Sequence, residues 1–296
     1  MAEPLQPSPS SSPNRFPIPR RGPADVYPQS AMPLSFSTAD LALARRCEAA
    51  EAANGRSFGA GSSLVETLEI GGGTAVFAGP GSPMTHALGI GVNGPMTAHD
   101  FDVLERFFHS RGSDCLIDLC PLADPTVLEQ ITKRNYRIVE FNNLMLKRLS
   151  PEDLADPLPT ELAIEEVEPN AYADWCRLIL RGFTGLDHPP DEMLSMFEGQ
   201  SFGQLFRATW LGQPAGGASM SIQNGVATLH GDSTLISYRN RGIQRALIQH
   251  RLMLAESQGA DLAMACVIPG SASHRNYEKC GFHLFYMRVN VARSFS

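Results

Sequence analysis

The stretch Tyr238–Leu247, YRNRGIQRAL, places Arg239, Arg241 and Arg245 within seven residues of a 296-residue chain whose formal net charge is −7. Cations gathered this tightly in an acidic chain serve a local purpose. The preceding run reads as a strand ending near Thr234-Leu235 and the following run as a helix beginning near Ile243, so the backbone N–H groups of RNRGIQ stand where a helix N-terminus attracts an anion. Gly242 allows close backbone approach, and Arg239 and Arg241 add charge-assisted hydrogen bonds of about 1.5–3 kcal/mol each when well formed. A second glycine-rich stretch, Gly89-Ile90-Gly91-Val92-Asn93-Gly94, satisfies GxGxxG between a strand and a helix, with Asp118 further on. Its helix cap, Thr97, falls three residues past the last glycine, whereas a dinucleotide-binding turn opens its helix with the glycines themselves. A tight turn is the better reading there.

The elements that must position these groups follow from periodicity. Residues 1–34 are rich in Pro and Ser without a hydrophobic period and read as a disordered tail. STADLALARRCEAAEAANG reads as a helix capped at Ser37 or Thr38 and stopped at Asn54-Gly55. Short strands follow, then a helix with Thr97 and Asp100 spaced as a capping box, the apolar strand CLIDLCP, a short helix TVLEQITKRN and the long strand YRIVEFNNLMLKRL. A Pro- and Asp-rich joint, SPEDLADPLPT, precedes a second half with the same order of elements. HSRGSDCLIDLCP can be laid on ESQGADLAMACVI, and TKRNYRIVEF on EKCGFHLFYM, with Asn135 opposite Gly281. Asn is the residue after Gly that best tolerates positive φ, so the turn is kept, and the chain reads as a divergent internal duplication.

Composition narrows the function classes. A pI near 5.6 argues against a general nucleic-acid or membrane-surface binder, which needs a broad basic field. No apolar run approaches a membrane span, and the opening residues lack the apolar core of a secretory signal, so a cytoplasmic location is expected. The cysteines, Cys47, Cys115, Cys120, Cys176, Cys266 and Cys280, form no CxxC pair and match no His spacing, which predicts reduced thiols and no metal.

Roughly residues 160–292 resemble the GNAT superfamily of acetyl-CoA-dependent N-acetyltransferases. Arg239-Asn240-Arg241-Gly242-Ile243-Gln244 resembles its R/Q-x-x-G-x-G/A pyrophosphate loop except at Gln244, whose side chain is expected to point away from the phosphates. Tyr277-Glu278-Lys279-Cys280-Gly281-Phe282 meets its later YEKxGF signature, while Gly270 stands where the family often carries an asparagine. The resemblance implies an α+β fold of two GNAT-like domains, each a mixed, mostly antiparallel twisted sheet flanked by helices. Residues 35–149 would be a degenerate domain without the cofactor motif, since VNGPMT has no arginine and Pro95 lacks a backbone donor. Residues 150–296 would be the acetyltransferase domain.

The resemblance further implies that the sheet splays between its fourth and fifth strands to admit pantetheine. Backbone groups of Ser233, Thr234 and Leu235 would hold pantetheine, and the RNRGIQ loop and Asn276 would hold the rest of acetyl-CoA. The acceptor is then a small-molecule or peptide amine attacking directly in a ternary complex, with Tyr277 as the acid that protonates the departing thiolate and His230 and Asp232 as candidate bases. Asp187 and His188, in FTGLDHPP, are candidates for touching the acceptor. A catalytically inactive acyl-CoA-binding regulatory protein is the alternative, a nucleotide-dependent oxidoreductase a distant third, and homodimerisation stays open. Because the tail has no core pattern, deleting residues 1–33 is expected to leave the thermal midpoint and any turnover nearly unchanged; a fall of many degrees in a melting curve would show that the tail packs.

Overall fold

Eleven strands build one sheet in the computed structural model, which describes residues 40–59, 64–151 and 157–295. The expected tail and the expected caps Ser37 and Thr38 lie outside the described residues. Helix α1 (Leu41–Ser57) is instead capped by Asp40, whose Oδ1 accepts from the Leu43 N–H at 2.9 Å. It also runs through Asn54-Gly55 rather than stopping there. A Cβ at Gly55 would stand 2.8 Å from Leu88 Cδ1, so glycine here serves close packing of the helix on the sheet and not termination.

Next come β1 (Glu66–Ile70), β2 (Gly73–Phe77), β3 (His86–Leu88), α2 (Ala98–His109), β4 (Cys115–Leu119), α3 (Pro125–Lys133) and β5 (Arg137–Arg148). The capping box is present: the Asp100 N–H donates to Thr97 Oγ1 at 3.2 Å and the Thr97 N–H to Asp100 Oδ2 at 2.7 Å. Beyond the joint lie β6 (Leu162–Glu166), α4 (Tyr172–Thr184), α5 (Asp191–Glu198), β7 (Gln204–Trp210), β8 (Gln213–Gln223), β9 (Val226–Thr234), α6 (Ile243–Ser257), β10 (Leu262–Val267), α7 (Ala272–Lys279) and β11 (His283–Arg293). Asn135 and Gly281, which precede β5 and β11, have φ of +58° and +84°, a left-handed geometry that both residue types tolerate.

The strand order is β1-β2-β3-β4-β11-β5-β10-β9-β8-β7-β6. Outward from the central antiparallel β11–β5 pair, the order is β4, β3, β2 on one side and β10, β9, β8 on the other. The parallel pairs, β3–β4 and β9–β10, fall at the same place on each side. The last strand of each half therefore crosses over: β5 pairs with β10, and β11 pairs with β4. Alternation along β10 sends Ala263, Ala265 and Val267 into the core under α6, with Phe206, Leu247 and Phe282, while Leu262 and Met264 face α1 with Leu144, Leu146 and Phe285. A third core, Phe101, Leu104, Phe108, Ile117 and Val291, lies under α2 and α3.

The glycine turn at 89–94 ends at no helix, since α2 begins at Ala98. Asp118 pairs with His86 Nδ1 at 3.2 Å and accepts from Asn290 Nδ2 at 3.0 Å, so it is a buried structural carboxylate. The crossed strands carry a consequence for truncation. Residues 35–149 alone would leave β5 without either neighbour, and residues 150–296 would strip β5 from both β10 and β11. Neither fragment is expected to show a cooperative thermal transition by circular dichroism, whereas the two mixed are expected to recover one; a cooperative melt of an isolated fragment would refute this.

Candidate active site

Strand β10 is held by β5 along its whole length, from Leu262↔Arg148 to Val267↔Asn143, but by β9 only through Leu262↔Val226, Ala263↔Ala227 and Met264↔Thr228. Past Thr228, β9 follows β8 and leaves β10, opening a gap. A bulge lies on the same stretch. The register shifts between Gly217↔Ser233 and Ser219↔His230, and Gly231 takes φ +69° where a Cβ would stand 2.6 Å from Ser219 Oγ. One extra residue in β9 re-aims the side chain that follows it, and that residue is Asp232.

Asp232 points at two partners that α6 and α7 supply. Its Oδ1 accepts from Arg251 Nη2 and its Oδ2 from the Tyr277 hydroxyl. Arg251 is fully buried, and its remaining donors go to backbone: Nε to Leu247 O at 3.1 Å and Nη1 to Ser219 O at 2.8 Å. The guanidinium is thus matched on every side, as a buried cation must be. Burial first, and the Asp232 carboxylate next, hold the Tyr277 phenol well above its usual pKa, so it stays protonated through the neutral range. His230 and Asp232 were both expected as candidate bases. Neither stands free for that work: both Asp232 oxygens are engaged, and burial with the Arg251 charge pushes the His230 imidazole down to about 3. His230 Nδ1 lies 2.6 Å from Ser219 Oγ, and its ring packs against Phe58 and Phe202.

A groove of about 840 Å³ runs from Asp232 and Thr234 past the start of α6 to α7. Asn240 and Gly242 have φ of +64° and +79°, which turn the backbone into α6. Gly242 caps α6 without a side-chain acceptor, and no acidic residue stands in the first turn, so the start of α6 turns its positive end to the groove. Arg239, Arg245, Arg275 and Lys279 line it. Arg239 is fixed by donating to Gly182 O at 3.0 Å and Thr234 O at 3.3 Å. Arg241, expected beside the anion, instead lays its guanidinium over the rings of Trp210 and Tyr238, 5.0 and 5.4 Å from their centroids.

Gln244, expected to point away, crosses the groove floor: its Nε2 donates to Ser273 Oγ at 2.9 Å and its Oε1 accepts from Asn276 Nδ2 at 2.8 Å. The helix start leaves that side chain facing α7, where two amide-matching partners wait. Leu235 also departs from expectation, because its N–H donates to Ala215 O on β8 at 2.9 Å. Alternation then turns the N–H and C=O of Thr234 toward the gap. Ser233 is drawn inward, its hydroxyl donating to Ile179 O at 2.8 Å. Arg245, Arg275 and Lys279 went unassigned in the sequence, although the i, i+4 spacing of Arg275 and Lys279 marks one face of α7.

A second cavity of about 350 Å³ adjoins the groove, sharing Phe183, Asp232, Ile268, Ser271 and Ser273 with it. Tyr277, His230, Cys266 and Glu51 also line it. Asp187, expected near the acceptor, pairs with Arg181 at 3.0 Å, and neither it nor His188 lines either cavity; Phe183 of the same segment does. Among the described residues no group of three or more His, Cys, Asp or Glu side chains is placed to hold a metal, and no helix is long and apolar enough to cross a membrane.

Residues 172–282 match the model of the acetyltransferase (GNAT) family. A GCN5-related N-acetyltransferase from Kribbella flavida is similar over 86% of this chain and 96% of its own, at 17% identity and a TM-score of 0.65. A tandem GNAT protein from the clavulanic acid biosynthesis pathway is similar over 88% and 98%, at 11% identity and a TM-score of 0.55. No curated protein matches. These likenesses give the chain the GNAT acetyltransferase fold, a mixed sheet flanked by helices.

The depressed His230 pKa has a thermodynamic consequence. The folded state holds this ring neutral down to about pH 3, whereas the unfolded chain protonates it near pH 6.5. Its contribution is fully present above pH 6.5 and is lost as pH falls from there toward 3, because the unfolded chain binds the extra proton. His230→Gln should flatten the pH dependence of the denaturation midpoint in that window; an unchanged slope would show that the ring does not contribute.

Proposed function

We propose that the chain is an N-acetyltransferase that passes the acetyl group of acetyl-CoA directly to a small-molecule or peptide amine. Its 150–296 half carries the donor site, and its 35–149 half is a GNAT-like domain without one. The groove carries this reading. It joins an uncapped helix N-terminus and four basic side chains to the gap between β9 and β10, and at Asp232 it meets the second cavity, which the buried Tyr277 lines. The residues fit the co-substrate: the first-turn N–H groups of α6 with Arg239, Arg245, Arg275 and Lys279 suit the phosphates, and Thr234 suits the pantetheine amides. Gln244 and Asn276 tie the two walls of the groove together.

Acetyl-CoA supplies a thioester whose leaving group is a thiol with a pKa near 8.5 when free. Tyr277 is the residue assigned to protonate it. Burial and Asp232 keep its hydroxyl protonated, and the residue lines the second cavity, which meets the groove at Asp232. Asp232 positions the phenol, and Arg251 positions Asp232. A protein that only bound acyl-CoA would need the groove but not this polar cluster at its end.

Two variants test the reading. Arg275→Glu with Lys279→Glu should weaken acetyl-CoA binding by at least tenfold, about 1.4 kcal/mol, in calorimetric titration; unchanged affinity would remove α7 from the site. Tyr277→Phe should lower turnover by roughly 10²–10⁴ while leaving acetyl-CoA affinity within about threefold. It should also lower stability by about 1–3 kcal/mol, because Asp232 loses a donor in a buried place, so rates are to be read well below the melting midpoint. Turnover within about threefold of the parent, with chemistry rate-limiting, would mean that another group or water protonates the thiolate.

A further inference from the structure

Helix α1 turns the stripe Ala44, Glu48, Glu51 and Gly55, spaced i, i+4, i+7 and i+11, toward the sheet, with Glu51 half-buried and the other three buried. Two carboxylates on the core face of a helix are costly unless each is matched. Glu48, 1% exposed, is matched at one oxygen: Oε1 accepts from the Tyr286 hydroxyl and from Arg288 Nε at 3.0 Å, and Arg288 Nη2 also stands 3.0 Å away, while Oε2 accepts no hydrogen bond among the described residues. Glu51, one turn on, has only a longer ion pair with the same arginine. Its Oε2 is buried and accepts no hydrogen bond among the described residues, and Arg288 Nη1 stands 3.6 Å off while donating to Cys266 Sγ at 3.1 Å.

What Glu51 does face is the second cavity. Its lining holds Glu51, Asp232 and His230 among charged and titratable groups other than Cys266 and Tyr277, and neither Lys nor Arg. Asp232 is neutralised by Arg251 and His230 is held neutral, whereas the single charge of Arg288 faces both Glu48 and Glu51, so of these two the carboxylate that lines the cavity is the one answered at the longer distance and gives the chamber its sign. The adjoining groove has the opposite sign, so the two chambers meeting at Asp232 suit an anion on one side and a cation on the other.

We propose that Glu51, carried by the 35–149 half, receives the cationic amine acceptor in the second cavity and takes up its proton. This rests on the acetyltransferase reading above. The step is a proton transfer: an N–H bond of the ammonium breaks, the electron pair stays on nitrogen as the nucleophile, and the proton forms an O–H bond on Glu51, from which water removes it after turnover. Burial first raises the Glu51 pKa, the Arg288 charge opposes this, and Glu48 and Asp118 add to it, with the His86 charge opposing as well. A carboxylate raised in this way is a better proton acceptor than one in water. The first half, which carries no donor loop, thereby supplies the acceptor chamber with its charge.

The test compares the full chain with Glu51→Gln and Glu51→Asp. Acetyl-CoA binding is read by calorimetry, and thiol release is read with 1,5-diaminopentane, benzylamine and a lysine-containing peptide as acceptors. Affinity for acetyl-CoA should stay within about twofold in both variants, and kcat/KM for the amine should fall about 100-fold in Glu51→Gln at pH 7 and about tenfold in Glu51→Asp. The Glu51→Gln deficit should narrow to less than about tenfold toward pH 10, where an amine of pKa near 10.4 sheds its proton unaided. A deficit constant with pH, unchanged turnover in Glu51→Gln, or acetyl-CoA binding without turnover of any of these amines by the parent overturns the assignment of Glu51. Absence of acetyl-CoA binding by the parent overturns the acetyltransferase reading itself.

Discussion

Strand β10 has two neighbours and can follow only one of them to its end. It follows β5, with six paired positions against three with β9, and the gap that results is the feature on which the rest of the site depends. The gap turns the Thr234 N–H away from both neighbouring strands, gives Asp232 and Tyr277 a common space, and lets the groove from α6 and α7 reach the sheet. Because β5 comes from the first half and β10 from the second, the gap belongs to neither half alone. The bulge at Gly231 works on the same stretch, since a strand no longer tied to β10 can take an extra residue without breaking a second ladder.

Two buried arginines organise the polar groups around this gap. Arg251 and Arg288 each face a carboxylate that also accepts from a tyrosine, Asp232 with Tyr277 and Glu48 with Tyr286. Burying a guanidinium is favourable only when its donors are met, so each cluster admits few arrangements and fixes side chains that longer, exposed ion pairs would leave loose. The clusters differ in surroundings. The one with Tyr286 closes within the core, whereas the one with Tyr277 ends at a cavity, and an extra carboxylate, Glu51, stands beside the closed cluster with its charge only partly answered.

The helix termini show how local rules and tertiary demands divide the work. Thr97 and Asp100 cap α2 by reciprocal bonds that depend on four consecutive residues. At α6 the corresponding bonds are missing, and Gly242 with basic neighbours stands where a capped helix would carry an acid or a hydroxyl. A helix start left open in this way is stabilised by an anion, which is the physical reason that a phosphate-bearing ligand suits it.

What depends on neighbours along the chain was legible in the sequence: the capping box, the left-handed turns at Asn135 and Gly281, the bland turn at 89–94, and the glycine-containing loop that leads into α6. Side-chain directions in that loop were beyond it. Whether Arg241 reaches a ligand or stacks on Trp210 depends on a strand some thirty residues upstream, and whether Gln244 turns outward depends on Ser273 and Asn276 across the groove. The crossing of β5 and β11 was likewise invisible, because both strands carry the same pattern and pattern does not name a partner. Glu51 was the least legible of all. In the helical pattern it is one acid among alanines, and only the packing of α1 against a sheet shared by both halves decides that its carboxylate lies in a cavity and not in water.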